Sequence, residues 1–379
     1  MKIALGVFGR FHIFDLARQL SDKRVLNQFF TSYPKFLVEK WEIAANKNYS
    51  YPIIETLNRI HYKGLNKYFS NIYLRRWFDY LISKRLASDN DIYHCWGGSI
   101  NSIIRAHEFQ MPVIFDQGST HVLYAQDIRE EECRRSGIIN TDRIPQALIK
   151  RELAGYQMAD YICVPSSFVK NSFLSYGIHE KKLLVNPYGV NLASFNSIPK
   201  KDNIFRVIFV GSICIRKGCH YLLQAFHELN MANSELHMIG PVNRDMHSFL
   251  NLYSGPKIKL LGVKNQSELY KYYSQGSVFV MMSIEEGLAM VQLQAMSCGL
   301  PLICSENTGV SDLISDGIEG FIIPIRDVNL LKARLDFLYN NENIREEMGK
   351  KALLKAKVGF KWEDYGNRMV NFYTKILNT

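Results

Sequence analysis

No apolar run in the 379-residue sequence reaches the roughly 18 to 20 residues that span a bilayer. The apolar opening "KIALGVFGRFH" is interrupted by Arg10 and His12, too early for a secretory leader. A cytoplasmic protein is the expectation. Seven cysteines, Cys95, Cys133, Cys163, Cys214, Cys219, Cys298 and Cys304, are scattered without a CxxC pair or a Cys/His cluster of zinc spacing. They read as reduced core residues and not as a disulfide or zinc framework. RNP-like aromatic patterns, finger spacings and long basic runs are absent, so a nucleic-acid partner is not expected. The nearest acid pair of metal-binding spacing is Asp89 and Asp91 around Asn90. It precedes an apolar strand instead of ending one, so metal-independent chemistry is expected.

Negative charge is the scarcer sign: 36 Asp and Glu stand against 46 Lys and Arg, a net +10. The balance favours an anionic partner, either a phosphorylated small molecule or an acidic membrane surface. With 47% hydrophobic and 22% charged residues the chain is a folded protein, and its length calls for two domains.

Short apolar runs alternate with amphipathic segments. "MKIALGVFGRFHIFDLARQL" reads as a strand, a turn at Gly6 to Gly9 and a helix from about His12. The pattern recurs at "DIYHCWGG", "PVIFDQGSTH" and "YICVPSSF". "YGVNLASFNSIPKKDN", residues 188–203, loses the periodicity and reads as a linker. After it "FRVIFVGS" restarts the alternation, which implies two α/β, Rossmann-like halves with parallel sheets. Domains are expected over residues 1–195 and 196–360, with a helix at 361–379 returning to the first domain. In that helix Trp362, Tyr365, Met369 and Phe372 share a face. Between Tyr62 and Leu86, Lys63, Lys67, Arg75, Arg76, Lys84 and Arg85 interleave with Tyr68, Phe69, Tyr73, Trp77, Phe78 and Tyr80. This segment reads either as a helix lying on an anionic membrane or as a basic face over a core-facing aromatic stripe.

Two stretches carry chemistry. In "FRVIFVGSICIRKGCHYLLQAF" a strand ends at Gly211, a loop holds Arg216, Lys217 and Gly218, and a helix follows. That is a phosphate-receiving geometry, or else an exposed basic turn. In "MMSIEEGLAMVQLQAMSCGL" a strand delivers Glu285, Glu286 and Gly287 to the carboxyl edge of the sheet, and Gln294 follows on the next helix. Glu286 suits sugar hydroxyls or is a solvated loop acid, and Glu285 reads as its solvated neighbour.

Taken together, "EGLAMVQLQAMSCGLPLICSENTG", the Gly211 to Phe226 segment, "NPYGVNLASF" and "SDGIEGFIIPIRD" resemble retaining glycosyltransferase family 4, of GT-B architecture. The resemblance implies two Rossmann-like domains facing a cleft. It implies a nucleotide diphosphate sugar donor, a saccharide or lipid-linked saccharide acceptor, no cofactor and no metal. It places Glu286 on the donor sugar, Lys217 on the leaving diphosphate with Arg216 assisting, and Gly211, Gly287, Leu288 and Ala289 against the donor. His121 matches loosely a histidine that reaches the sugar across the cleft, and Gly9, Arg10 and His12 fall on the diphosphate or acceptor side. The family's second hallmark glutamate is Gln294 here, on the nucleotide ribose, and its usual arginine after the strand glycine is Ser212. Gln292 is expected on another helix face, and His94 in a supporting or acceptor role. Membership implies transfer with retention in surface polysaccharide or lipid-linked glycan synthesis. The alternatives are a non-catalytic nucleotide-sugar binding scaffold and a nucleotide-sugar epimerase of the same architecture.

Overall fold

The two periodic halves become two parallel sheets in the computed structural model, which describes residues 1–62, 69–138 and 143–378. The first sheet contains β1 (Ile3–Val7), β2 (Leu26–Thr31), β3 (Asn48–Ser50), β4 (Ile92–Trp96), β5 (Val113–Asp116), β6 (Tyr161–Val164) and β7 (Leu183–Val185). The second contains β8 (Phe205–Val210), β9 (Ser234–Ile239), β10 (Ile258–Gly262), β11 (Val278–Met281), β12 (Leu302–Ser305) and β13 (Gly320–Ile323). Their orders are β3-β2-β1-β4-β5-β6-β7 and β10-β9-β8-β11-β12-β13. Central strands such as β8 and β11 are buried along their whole length, because helices cover both faces of a parallel sheet.

In each sheet the chain direction of travel reverses beside the first strand, between β1 and β4 and between β8 and β11. Such switch points leave a crevice at the carboxyl ends of the strands, where ligands of α/β sheets bind. The two crevices face one another across a cleft, the GT-B arrangement. The terminal helix Trp362–Leu377 returns to the first sheet: a Cβ on Gly366 would lie 2.6 Å from Gln19 Cβ, and the Tyr373 hydroxyl lies 2.7 Å from His94 Nδ1. Tyr365 and Met369 are buried as the spacing predicts, while Trp362 and Phe372 are only half-buried and Tyr373 takes the inner place.

The interleaved basic and aromatic segment is the helix Phe69–Arg85 in its described part; Lys63, Lys67 and Tyr68, with the Phe69 side chain, lie outside the described residues. Phe78 and Ile82 face inward, but Tyr73, Trp77 and Tyr80 are 56%, 43% and 49% exposed, so these three do not form a core-facing stripe. Asp79, the segment's acid, accepts from the amides of Ile100, Asn101 and Ser102 and pairs with Arg151. Six of the seven cysteines are buried and all are free thiols. Among the described residues no helix is long and apolar enough to cross a membrane.

Candidate functional site

Neighbouring strands β8 and β11 deliver their following loops side by side. After β8 the chain passes Gly211, makes a tight turn over Ile215–Lys217 and enters the helix Cys219–Leu229 through Gly218 in the left-handed region, φ +63°. A Cβ on Gly218 would stand 1.8 Å from the Met282 carbonyl oxygen, so glycine is what lets this turn approach the β11 loop. The Ile284 amide donates to the Arg216 carbonyl at 2.9 Å, locking the two loops together.

That lock brings Arg216, Lys217 and Glu286 into one cluster. Glu286 Oε1 accepts from both the Arg216 guanidinium and the Lys217 ammonium, and Arg216 also donates to the Glu285 carbonyl at 2.8 Å. Burial pushes the Glu286 carboxyl up, but the charges of Arg216 and Lys217 outweigh it and hold the group below its ordinary range. Burial also opposes the charge on Arg216, yet Glu286 and Glu285 raise its pKa further. With Glu285 3.9 Å from Arg216 and itself paired to Arg129, Arg216, Lys217 and Arg129 stand against Glu285 and Glu286, a net positive charge beside the end of β8. The expected partners Glu286, Lys217 and Arg216, which lie about seventy positions apart in sequence, are thus together.

Glu285 is not the solvated neighbour expected of it. Its carboxylate is fully buried and crosses to the first domain: Oε1 accepts from the Thr120 hydroxyl at 2.8 Å, and Oε2 accepts from Arg129 Nη2 at 2.7 Å. Burial raises its pKa, while Arg129 and Arg216 pull it down further, to about 2. Nothing local separates Glu285 from Glu286; only partners more than 150 positions away do. Beside it, a Cβ on Gly287 would lie 1.8 Å from the Gly118 carbonyl oxygen, and the Gly287 carbonyl accepts from Ser166 Oγ at 2.7 Å. The second domain therefore touches the first directly at this glycine.

The cleft encloses about 1570 Å³. Its cationic wall residues are Arg10, Arg18, Lys40, Arg75, Arg129 and Lys361, against Asp15, Glu152 and Glu363. Of the donor-side residues, Leu288 and Gln294 line this cavity; Gly211, Arg216, Lys217, Glu286, Gly287 and Ala289 are off its wall. The Ala289 amide is directed to the Thr308 carbonyl at 3.5 Å. Gln294 is nearly buried and its Oε1 accepts from the Tyr273 hydroxyl at 3.1 Å. Gln292 faces elsewhere, donating to the Thr308 carbonyl.

On the opposite side, Arg10 and His12 line the cleft, Arg10 lying 5.1 Å over the Trp41 ring. Gly9 has φ +86° and donates its amide to Ser32 Oγ. His12 Nε2 is 3.1 Å from one oxygen of buried Asp116, whose other oxygen is 3.0 Å from His94 Nε2. Burial pushes Asp116 up, and the two histidines reverse this and bring it to about 2. His94 is fully buried, the supporting role of the two expected for it.

His121 corrects the expectation. It follows β5 as the spacing suggests, and Gly118, Ser119 and Val122 around it do line the cleft. The ring itself turns inward at the helix start, stacks on Tyr176 at 4.5 Å and packs on Tyr156 and Phe173. Burial depresses its pKa to about 4, so it is a neutral, packed ring and not part of the cleft wall. Asp89 and Asp91 accept from the Lys2 side chain and amide respectively, at a surface turn. Among the described residues no three His, Cys, Asp or Glu side chains cluster as metal ligands.

Residues 191–355 match the family model described as Glycosyl transferases group 1. An uncharacterized glycosyltransferase of Methanocaldococcus jannaschii is 24% identical over 304 residues, 75% of each chain. The capsular polysaccharide biosynthesis glycosyltransferase CapM of Staphylococcus aureus is 25% identical over 249 residues, 60% of this chain and 65% of CapM. The structure of Anabaena HepE in complex with UDP and glucose superposes with a TM-score of 0.72 at 13% identity, over 99% of this chain and 100% of that one. At that identity the likeness is one of fold.

Proposed function

We propose that this chain, which has the GT-B fold and whose residues 191–355 match the Glycosyl transferases group 1 model, moves a sugar from a nucleotide diphosphate sugar to an acceptor hydroxyl with retention. The observation that carries the reading is the Arg216–Glu286–Lys217 cluster at the switch point of the second sheet. Two fixed cations there meet the negative charge that grows on a departing diphosphate. Glu286 is the acceptor for donor-sugar hydroxyls, its cation partners Arg216 and Lys217 turning to the diphosphate when donor binds. Retention follows if the acceptor attacks on the face the diphosphate leaves, with a phosphate oxygen taking the proton; no metal enters this scheme. The test is the anomeric configuration of the product, determined by NMR in buffer containing EDTA. A product of unchanged configuration is expected, and an inverted product or an absolute need for a divalent ion overturns the scheme. A non-catalytic scaffold would turn over no donor in the same assay.

Gln294, on the cavity wall, is read as the acceptor for the nucleotide ribose. An amide oxygen makes a weaker hydrogen bond than a carboxylate, by roughly a factor of two in energy. Gln294→Glu is therefore expected to tighten UDP binding about three- to tenfold by calorimetry, since each tenfold is about 1.4 kcal/mol. Equal or weaker binding would remove Gln294 from the ribose contact.

The acceptor is read as a saccharide, free or lipid-linked, of surface polysaccharide synthesis, the process in CapM's name. A membrane-borne acceptor is favoured by the exposed faces of two successive helices: Ile53, Leu57 and Ile60 on Pro52–Tyr62, then Tyr73, Trp77 and Tyr80, beside the exposed cations Arg59, Arg76 and Lys84. The chain should float with liposomes containing anionic lipid and be released by Trp77→Glu; equal behaviour with neutral vesicles would count against this partner.

A further inference from the structure

The first-domain wall of the cleft holds a buried carboxylate that the scheme above does not use. Glu152, on the helix Gln146–Met158, lines the cavity although it is only 7% exposed. Its Oε2 is buried without a hydrogen-bond partner. Gly97, just past β4, makes room for it: a Cβ there would stand 3.2 Å from Glu152 Oε1 and 3.9 Å from Arg75 Nη1. A carboxylate left this way costs stability, because it loses hydration and gains no hydrogen bond. Burial raises the Glu152 pKa to about 7, and the charges of Arg75 and Arg151 pull it back only in part. The arrangement suits a ligand that supplies O–H donors.

An aromatic surface lies on the same wall. Phe11, in the loop after β1, stacks on Trp96 at the end of β4, with ring centroids 4.7 Å apart and planes 13° from parallel. Both line the cavity, and Phe11 is 45% exposed although its partner ring is half-buried. A large ring held flat by stacking and left open on a cleft wall offers an apolar face. A pyranose has both complements, an axial C–H face and a rim of hydroxyls.

We propose that Phe11, backed by Trp96, and Glu152 form an acceptor subsite for a pyranose ring, Phe11 taking its face and the Glu152 carboxyl accepting from a ring hydroxyl. Calling the ring the acceptor rests on the glycosyltransferase reading; that the wall binds a saccharide does not. A hydroxylated ring satisfies both features, whereas an aliphatic ligand would leave Glu152 unpaired.

The experiment is saturation-transfer NMR on the full chain without donor, using the α- and β-methyl glycosides of glucose, galactose, mannose, N-acetylglucosamine and rhamnose. At least one should give a signal, and its affinity should fall about tenfold or more in Glu152→Gln and in Phe11→Ala. Phe11 is exposed, so its variant keeps the test alive if the Glu152 variant misfolds, and thermal melting establishes the fold of each. No signal from any glycoside, wild-type affinity in both variants, or a signal abolished by UDP in the wild-type chain would each overturn the subsite. UDP binding without glycoside binding sinks the subsite and leaves the donor reading intact. Glycoside binding in a chain that turns over no nucleotide sugar upholds the subsite and sinks the transferase reading.

Discussion

Lys217→Ala is expected to lower donor turnover about 100- to 1,000-fold, with a smaller effect on donor KM. The diphosphate of the bound donor is already dianionic and gains further negative charge as its bond to the sugar breaks, so the lysine acts on binding and more strongly on the transition state, and the larger part of its loss falls on kcat. The variant should fold. Glu286 still pairs with Arg216 after Lys217 is removed, so no buried carboxylate is stranded. Glu286→Gln should also cut turnover strongly, but it leaves Arg216 and Lys217 facing each other and should melt lower than Lys217→Ala. Release of UDP measured at saturating donor, alongside thermal melting, checks both. Loss of activity that merely tracks loss of melting temperature would reduce the cluster to a structural ion pair. Activity equal to wild type in Lys217→Ala would remove the lysine from the diphosphate.

The fold was legible because its determinants are local. Apolar runs of β8 and β11, glycines at strand ends and the loss of periodicity over 188–203 repeat at short range, and each maps onto a strand, a turn or the connection between sheets. That Lys217 and Glu286 meet was legible for a related reason: each lies within a few residues of a strand's carboxyl end, and the parallel topology does the rest. Side-chain direction was not legible in the same way. His121 occupies the loop expected of a cleft residue, but whether its ring faces the cleft or the protein depends on Tyr156, Phe173 and Tyr176, all far along the chain. The spacing of Tyr73, Trp77 and Tyr80 marks a shared helix face without saying what covers it. Glu152 drew no notice in sequence because its setting is made by Gly97 and Arg75 from other elements. Glu285 and Glu286 are adjacent letters with the same chemistry, and one crosses the domain boundary while the other stays at the β8 turn.

That crossing makes Glu285 the residue whose loss should most weaken the contact between the domains. Thr120 and Arg129 hold its carboxylate from the first domain and Arg216 approaches within 3.9 Å from the second. Glu285→Ala strands Arg129 near Arg216 and leaves a cavity. Breaking a buried pair on one side typically costs about 3–5 kcal/mol. The pH dependence has a defined sign. The Glu285 carboxyl sits at about 2 in the folded chain against an ordinary 4.5, so the folded state favours its charged form. The resulting stabilisation is present above pH ~4.5 and is lost as pH falls through ~2, with an upper size of about 3 kcal/mol. Asp116, also at about 2 against an ordinary 3.8, adds a loss of the same sign in the same window. Thermal melts at pH 7, 4 and 3 should therefore show wild type losing more than Glu285→Ala on acidification, the difference between them narrowing as the carboxylate is protonated. Arg129→Ala should destabilise less than Glu285→Ala at pH 7, because Thr120 and Arg216 still meet the carboxylate. A constant gap between wild type and Glu285→Ala across the whole series would mean that packing, and not the charge shared between domains, sets the cost.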